Sequence, residues 1–225
     1  IALQRSLEDL QLEYLDLYLI HFPIALEFID FEERYPSEWF FEPEASNPAM
    51  KLAKIPLADT WHAMEELKAD KKVKHIGVCN YSTGLLNDLM NYCQIAPELL
   101  QIESHPYLSQ ENLIRLAKQY GLEVTAFSPL GSLSYVELEM AEQSESILDQ
   151  NIVKEIAKRL NCSPVQVVLR WGTQRGTSVL AKSINAERMA ENLASNTIEL
   201  TPKDMVAISN LNRNRRFNDP GDFCE

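Results

Sequence analysis

Apolar positions along the chain fall into two kinds of segment that alternate. In the first kind, apolar residues stand at consecutive positions, which predicts strands covered on both faces of a parallel sheet. These segments occupy residues 15–22, 74–81, 99–106, 122–129 and 177–183. In the second kind, apolar residues recur at helical spacing with polar residues between them. The predicted helices occupy residues 57–72, 109–121, 150–161, 163–176, 186–195 and 201–212.

The first ten residues also fit a helix, because Leu3, Leu7 and Leu10 fall on one face and Glu8 and Asp9 on the other. The sequence starts directly inside this pattern and has no initial methionine. We therefore expect a chain that is cut at its N-terminus.

The alternation of strands and helices predicts an α/β fold. Such a pattern calls for right-handed βαβ units in one parallel sheet, which is either open or closed into a barrel. No segment has the composition of a linker, and no internal repeat is visible. We therefore expect residues 1–225 to form a single domain.

Polar residues able to bind a ligand stand at the carboxyl end of every predicted strand. They are His21, Cys79-Asn80-Tyr81, Ser104-His105, Ser128-Pro129 and Lys182-Ser183. A single histidine at a strand end is more often structural than catalytic. Barrels and open α/β sheets, however, build their sites at the carboxyl ends of their strands. The recurrence at all five strands makes His21 a candidate site residue.

Charge and composition exclude some classes of binding partner. The 225 residues are 45% hydrophobic and 24% charged, which is typical of a globular protein, and the net charge is −12. Nucleic acids and anionic membranes call for basic patches, and the only basic groupings are Lys71-Lys72 and the region from Arg213 to Arg216. We expect neither partner, and an anionic ligand would need a local basic pocket.

The cysteines and the hydropathy indicate a soluble cytoplasmic protein. Cys79, Cys93, Cys162 and Cys224 lie far apart without a CxxC pair, which indicates reduced thiols and no zinc site. No apolar stretch approaches the roughly 20 residues that span a bilayer, and no signal peptide is visible.

A long irregular segment covers residues 24–56. It is acidic and aromatic, and at this length we expect a loop over a binding site. The alternative is a disordered surface insert. The consecutive aromatic residues Trp39, Phe40 and Phe41 favour a packed loop.

Taken in order, the strand-end motifs resemble those of the aldo-keto reductases. The motifs are LDLYLIHFP, HIGVCNY, QIESHPYL, TAFSPLGS and AKSINAERMAENL. The closing NRRFNDP resembles the aldose and xylose reductase branch of that family. The resemblance covers the whole chain and implies a (β/α)8 TIM barrel that binds NADP(H) and reduces an aldehyde or ketone by hydride transfer. The absence of a GxGxxG motif agrees with it, because this family binds the cofactor without one.

The resemblance implies a catalytic role for His21, which matches the histidine that orients the substrate carbonyl. An imidazole N–H can polarise the carbonyl oxygen as negative charge develops on it. Phe22 and Asn218 match positions that contact the substrate, which is expected to be a sugar aldehyde. The pocket wall differs from the relatives, which often carry tryptophan where this sequence has Gly221.

The same resemblance assigns the nicotinamide end of the cofactor. Asn80 and Gln101 match the residues whose amides bind the carboxamide, because an amide offers both a donor and an acceptor. Cys79 replaces the serine that is usual beside Asn80. Phe127 replaces a tyrosine that stacks on the nicotinamide ring, and the phenyl ring preserves the stacking face.

The phosphate and adenine ends are matched by residues later in the chain. The loop that clasps the pyrophosphate corresponds to Ser128, Leu130 and Ser132. The group around the adenosine 2′-phosphate corresponds to Lys182, Ser183, Asn185 and Arg188. Arg188 can combine a charged hydrogen bond with stacking on adenine. Glu191 and Asn192 match the residues at the adenine edge, although a helix surface alone would account for Glu191.

The family's catalytic aspartate, tyrosine and lysine come from the first three barrel strands, which we expect to lie upstream of Ile1. A general acid contributes about 10² to 10⁴ in rate, so we expect the isolated chain to be nearly inactive. The partner is expected to be a small carbonyl substrate, and the protein is expected to be a monomer or a homodimer.

Two other readings remain. One is a non-catalytic cofactor-binding subunit on the same barrel, like the potassium-channel β subunits that resemble this family. His21 argues against that reading, because a docking subunit has no need of the carbonyl-orienting histidine. The other is a different doubly wound enzyme, which lacks support because the sequence has no GxSxG, no P-loop and no DxD pair at a strand end.

Overall fold

The computed structural model of the chain describes residues 1–35, 38 and 40–219. These residues form two compact units. The first unit contains residues 1–98 and Asp219, and the second contains residues 99–218. The expectation of a single domain stays a prediction.

The first unit is built on two parallel strands. Its elements in chain order are α1 (Ala2–Leu10), β1 (Leu15–Ile20), α2 (Leu57–Ala69), β2 (Val73–Cys79) and α3 (Thr83–Tyr92). Strands β1 and β2 pair in parallel with Leu15 opposite Val73 and Ile20 opposite Val78. Their carboxyl ends therefore lie side by side.

The core of the first unit is centred on Trp61, which is fully buried. Its indole N–H donates to the carbonyl of Ile95 at 3.1 Å, so the one polar atom of this side chain is satisfied. Glu65, one helical turn later, accepts the backbone N–H groups of Gln94 and Ile95 at 2.7 Å each. Helix α2 thus holds the segment that leads into the second unit's first strand.

Helix α3 is absent from the predicted elements and is therefore a miss of the sequence analysis. Ser82 caps it by accepting the N–H of Leu85, and Leu86 and Leu89 are buried. The N-cap serine followed by this apolar spacing was the signal that could have revealed the helix.

The long segment between β1 and α2 is an ordered loop in its described part. Its ends pair, because Glu27 N–H donates to Lys51 O and Ala53 N–H donates to Ala25 O, both at 2.8 Å. Farther along, the Arg34 guanidinium donates to the carbonyls of Phe40 and Phe41. Tyr35 hydrogen-bonds Asp9 of α1, which ties the loop to that helix. These contacts favour the packed loop over the disordered insert, and Trp39 lies outside the described residues.

The second unit contains three parallel strands in the order β3, β4, β5. Its elements are β3 (Leu99–Glu103), α4 (Glu111–Gln119), β4 (Glu123–Phe127), α5 (Asn151–Leu160), α6 (Pro164–Gln174), β5 (Ser178–Leu180), α7 (Ala186–Ala194) and α8 (Pro202–Ser209). Short 3₁₀ turns occur at Ser132–Ser134, Gln143–Glu145, Ile147–Asp149 and Ser195–Thr197.

The core of the second unit forms where α5, α6 and α8 meet the segment after β4. Trp171 is buried, and its N–H donates to Ser209 Oγ at 3.0 Å. Gly172 lets α6 approach β5 closely, because a Cβ there would lie 2.7 Å from a methyl carbon of Val179. Ser163 and Thr201 begin α6 and α8 with capping boxes, each followed by proline.

All five predicted strands are present, but they are shorter than the apolar runs. The polar residues at the end of each run lie beyond the strand, except that Cys79 is the last residue of β2. The expectation that the strands are covered on both faces is wrong for β1 and β5, in which Leu17 and Leu180 are exposed. Each of these strands pairs with only one other strand in the described part of the chain.

No helix among the described residues is long and apolar enough to cross a membrane.

Candidate active site

The first unit places two candidate residues directly after its parallel strands. His21 follows β1, and Asn80 follows β2. Asn80 has a φ of 62°, in the left-handed region that asparagine tolerates better than most residues. Its Nδ2 donates a hydrogen bond to the backbone carbonyl of His21 at 2.8 Å. This bond links the ends of β1 and β2. The Asn80 Oδ1 atom can still accept a hydrogen bond from a ligand.

The His21 imidazole is solvent accessible and lies against the ring of Phe22, with centroids 4.6 Å apart. Partial burial of the imidazole lowers its pKa below the ordinary value of 6.5. The ring is therefore neutral at pH 7 and carries one N–H donor. A neutral imidazole can still donate to a carbonyl oxygen, as the predicted role requires. Phe22 itself is buried, so it can offer a substrate only a small surface.

Cys79 is the last residue of β2 and is almost fully buried. Burial raises the pKa of its thiol to about 12, so the thiol is protonated at neutral pH. A buried protonated thiol is a poor nucleophile and a weak hydrogen-bond donor. Any polar contact that Cys79 makes with a ligand is therefore weaker than one from a serine hydroxyl at the same position.

The second unit places Gln101 and Phe127 on adjacent strands. Gln101 lies within β3 opposite Thr125, and Phe127 ends β4 opposite Glu103 on one side and Leu180 on the other. Gln101 and Phe127 are both half-buried, so each residue keeps some solvent-accessible surface.

The segment after β4 begins with a tight bend. Ser128 has a φ of 48°, and its Oγ pairs with the hydroxyl of Tyr135 at 2.8 Å. Leu130 is half-buried. Ser132 is buried, and its hydroxyl has no hydrogen-bond partner among the described residues. An unpaired buried hydroxyl is costly, and a phosphate oxygen is an acceptor that would satisfy it.

The predicted 2′-phosphate group surrounds the start of α7. Asn185 caps this helix by accepting the N–H of Arg188 at 3.0 Å, and Ser183 Oγ accepts the N–H of Asn185 at 3.1 Å. The Asn185 oxygen is therefore occupied, which leaves its Nδ2 for a ligand. The cationic side chains of Lys182 and Arg188 are exposed, and neither makes an ion pair with a described residue. Two unpaired cations beside a helix N-terminus suit an anion.

Glu191 and Asn192 lie one turn farther along α7 and are half-buried. Their backbone carbonyls are fixed, because Glu191 O accepts from Gln166 Nε2 at 3.0 Å and Asn192 O accepts from Ser195 Oγ at 2.6 Å. The backbone at the predicted adenine edge is thus held by α6 and by the turn that follows α7.

Asn218, the candidate for substrate contact, is held by a buried carboxylate. Glu103 accepts the N–H of Asn218 at 3.0 Å and the N–H of Phe217 at 2.8 Å. His105 Nε2 lies 2.9 Å from the same carboxylate, and both side chains are fully buried. Burial alone would raise the pKa of Glu103, but the hydrogen bonds from His105 and the two backbone N–H groups outweigh it and lower the pKa. Glu103 is therefore ionised at neutral pH.

Glu103 is a residue that the sequence analysis missed. The signal was a carboxylate at the end of the apolar run LLQIE, where an unpaired charge would be expensive. His105 is one of the polar residues at the predicted strand ends, and no role was predicted for it.

Parallel α/β folds, barrels among them, carry their functional groups at the carboxyl ends of their strands, which is where the candidate residues of this chain lie. The sequence model of the Aldo/keto reductase family matches residues 2–213. The chain belongs to this family.

Three relatives illustrate the similarity. A probable NAD(P)H-dependent D-xylose reductase from Aspergillus fumigatus is 43% identical over 219 residues, covering 96% of this chain and 68% of that protein. An NADPH-dependent D-xylose reductase from Meyerozyma guilliermondii is 40% identical over 99% of this chain and 70% of that protein. The structure of an aldose reductase from Giardia lamblia superposes with a TM-score of 0.83 at 36% identity, covering 99% of this chain and 70% of that chain.

These comparisons confirm three of the sequence-based predictions. The family, the barrel-type α/β fold and the oxidoreductase class all agree with the relatives. The reading as a non-catalytic channel subunit is not favoured, because these relatives are named as reductases. The roles assigned to individual site residues stay predictions.

Proposed function

We propose that the protein reduces sugar aldehydes to the corresponding alcohols with NADPH as the reductant. The observation that carries this proposal is the 40–43% identity, over nearly the whole chain, to proteins named as D-xylose reductases. The cofactor, when bound, supplies a hydride to the carbonyl carbon. The residues of this chain bind the cofactor, orient the substrate and stabilise the charge that develops on the carbonyl oxygen.

His21 is proposed to donate its imidazole N–H to the carbonyl oxygen. Negative charge grows on that oxygen as the carbon accepts a hydride, so the hydrogen bond strengthens toward the transition state. The support is its position directly after β1, its solvent-accessible imidazole and the lowered pKa that keeps the ring neutral. The bond from Asn80 to its backbone carbonyl steadies the position of the residue.

The chain's residues fit NADP(H). The Ser132 hydroxyl and the cations of Lys182 and Arg188 have no partner among the described residues, and phosphate oxygens would satisfy them. We propose that Ser128, Leu130 and Ser132 bind the pyrophosphate and that Lys182, Ser183, Asn185 and Arg188 bind the 2′-phosphate. Glu191 and Asn192 are proposed for adenine, and Cys79, Asn80, Gln101 and Phe127 for nicotinamide.

Substrate contacts are proposed for Asn218 and Phe22. The Asn218 amide can donate and accept hydrogen bonds, which suits a sugar hydroxyl. Phe22 offers an apolar edge beside His21.

We further propose a cytoplasmic location, which is supported by the free thiols of Cys79, Cys93 and Cys162. We also propose an assembly no larger than a homodimer.

The test is consumption of NADPH by the complete protein in the presence of D-xylose. We expect NADPH to be oxidised in equal amount to the alditol formed. We expect glucose and other aldoses to react no faster than D-xylose. Oxidation of NADPH with pentanal but with no aldose would support the reductase activity and refute sugars as the substrate. No oxidation with any aldehyde would refute the proposed activity.

A further inference from the structure

The second unit ends in a segment that is held along its whole length. This C-terminal segment covers residues 213–218. The N–H groups of Arg213 and Arg215 both donate to the carbonyl of Tyr107, at 3.2 and 3.0 Å. The Arg215 guanidinium donates to both oxygens of Glu145 and to the carbonyl of Met140. The first half of the segment is thus fixed by polar contacts to neighbouring loops.

The second half of the segment depends on Glu103. Its Oε1 accepts from His105 and from Phe217 N–H, and its Oε2 accepts from Asn218 N–H. Each oxygen accepts hydrogen bonds from different donors, so the carboxylate can take only one orientation without losing a bond. Gln110 Nε2 donates to the Glu103 carbonyl at 2.8 Å and fixes the backbone beneath it. A fully buried ion of this kind is tolerated only because every donor is in place.

The ring of Tyr135 supports the same segment from a second direction. The Tyr135 ring stacks on Phe217 with centroids 5.7 Å apart and an interplanar angle of 15°, and its hydroxyl also pairs with Ser128. The segment that ends at Asn218 is therefore held by Glu103 through its backbone and by the Tyr135 ring at Phe217.

We propose that Glu103 is a positioning residue that gives the enzyme its preference for polyhydroxylated aldehydes over plain ones, by holding Asn218 where its amide meets a sugar hydroxyl. This inference rests on the proposed function, because it assigns the contact between Asn218 and the sugar. Glu103 does not touch the substrate. It acts only through the N–H groups of Phe217 and Asn218.

The substitution Glu103→Gln isolates this role. The glutamine oxygen can replace Oε1 and keep the bonds from His105 and Phe217. Its NH₂ group then stands where Oε2 was and faces the N–H of Asn218, donor against donor. The variant therefore releases Asn218 while disturbing its neighbours least. Glu123→Gln is the matched control, because Glu123 is an exposed carboxylate at the start of β4, at the opposite end of the strand that neighbours β3.

The kinetic test compares two five-carbon aldehydes, D-xylose and pentanal, and reports the ratio of their kcat/KM values. We expect Glu103→Gln to lower this ratio roughly three- to tenfold, as the loss of one neutral hydrogen bond does. Asn218→Ala should lower it by a similar factor, and the double variant should be no lower than Asn218→Ala alone. Glu123→Gln should leave the ratio unchanged.

A second readout needs no substrate. Amide hydrogen exchange should speed up at Asn218 in Glu103→Gln and stay slow at Phe217, and neither amide should change in Glu123→Gln. If Glu103→Gln does not fold, Glu103→Asp is measured in the same way, because it withdraws the carboxylate by one methylene and keeps the charge.

The outcomes separate this inference from the proposed function. Factors that multiply in the double variant, or an equal loss with both aldehydes, would overturn the positioning role. An unchanged exchange rate at Asn218 would overturn it whatever the substrate proves to be. Faster exchange at Asn218, together with a wild-type protein that reduces pentanal but not D-xylose, would refute the sugar substrate and the preference assigned to Glu103.

Discussion

Replacing His21 with alanine is expected to lower kcat for D-xylose reduction by about 10² to 10³, the usual loss for one donor at a developing oxyanion. The loss should fall on kcat and on kcat/KM alike, because the bond to the carbonyl oxygen strengthens only as charge develops. The affinity for NADPH should change by less than about threefold, because the cofactor is assigned to other residues.

The measurement pairs steady-state kinetics with fluorescence titration of NADPH in the complete protein. His62→Ala is the matched control, because His62 is an exposed histidine on α2 that has no assigned role. His21→Gln should retain part of the rate, since its amide offers a donor at a similar distance. Turnover near the wild-type value together with a collapse of NADPH binding would make His21 a structural strand-end residue.

Replacing Arg188 with alanine is expected to weaken NADPH binding by about ten- to a hundredfold and NADH binding far less. The loss of a charged hydrogen bond costs roughly 1.5 to 3 kcal/mol, and each 1.4 kcal/mol is a factor of ten in Kd. Arg188 is suited to this role because its guanidinium is exposed and makes no ion pair with a described residue. The Asn185 cap fixes the backbone that carries it.

Two further variants test whether the effect of Arg188→Ala comes from the guanidinium group. Arg188→Lys keeps the charge but loses the planar fork, so we expect an intermediate loss of NADPH affinity. Lys203→Ala removes an exposed cation from α8 and should leave both cofactors unaffected. An equal loss of NADPH and NADH affinity in Arg188→Ala would show that Arg188 contacts adenine and not the 2′-phosphate.

Much of the fold could be predicted from hydrophobic periodicity. Five consecutive apolar runs marked the five strands, and amphipathic spacing marked most helices. Helix α3 was missed, although Ser82 caps it and Leu86 and Leu89 fill its buried face. Local periodicity also could not reveal that Leu17 and Leu180 are exposed, because exposure depends on which elements pack against a strand.

The candidate site was predictable by position more than by contact. The rule that sites form after parallel strands makes His21 and Asn80 candidates, and their roles stay predictions. The sequence could not show that the Asn80 Nδ2 group donates to the carbonyl of His21. It also could not show that the Asn185 side-chain oxygen accepts a backbone N–H as the cap of α7. Glu103 was missed because its partners, Phe217 and Asn218, lie more than a hundred residues away along the chain.

Reduction of an aldose by the proposed route transfers a hydride from NADPH to the carbonyl carbon of the sugar. The most direct measurement supplies D-xylose and NADPH that carries deuterium at the transferable position of the nicotinamide, and determines the mass of the alditol by mass spectrometry. We expect an alditol that contains one deuterium on its terminal carbon, formed in equal amount to the NADP⁺ released. Alditol without deuterium, or oxidation of NADPH with no alditol formed, would contradict it.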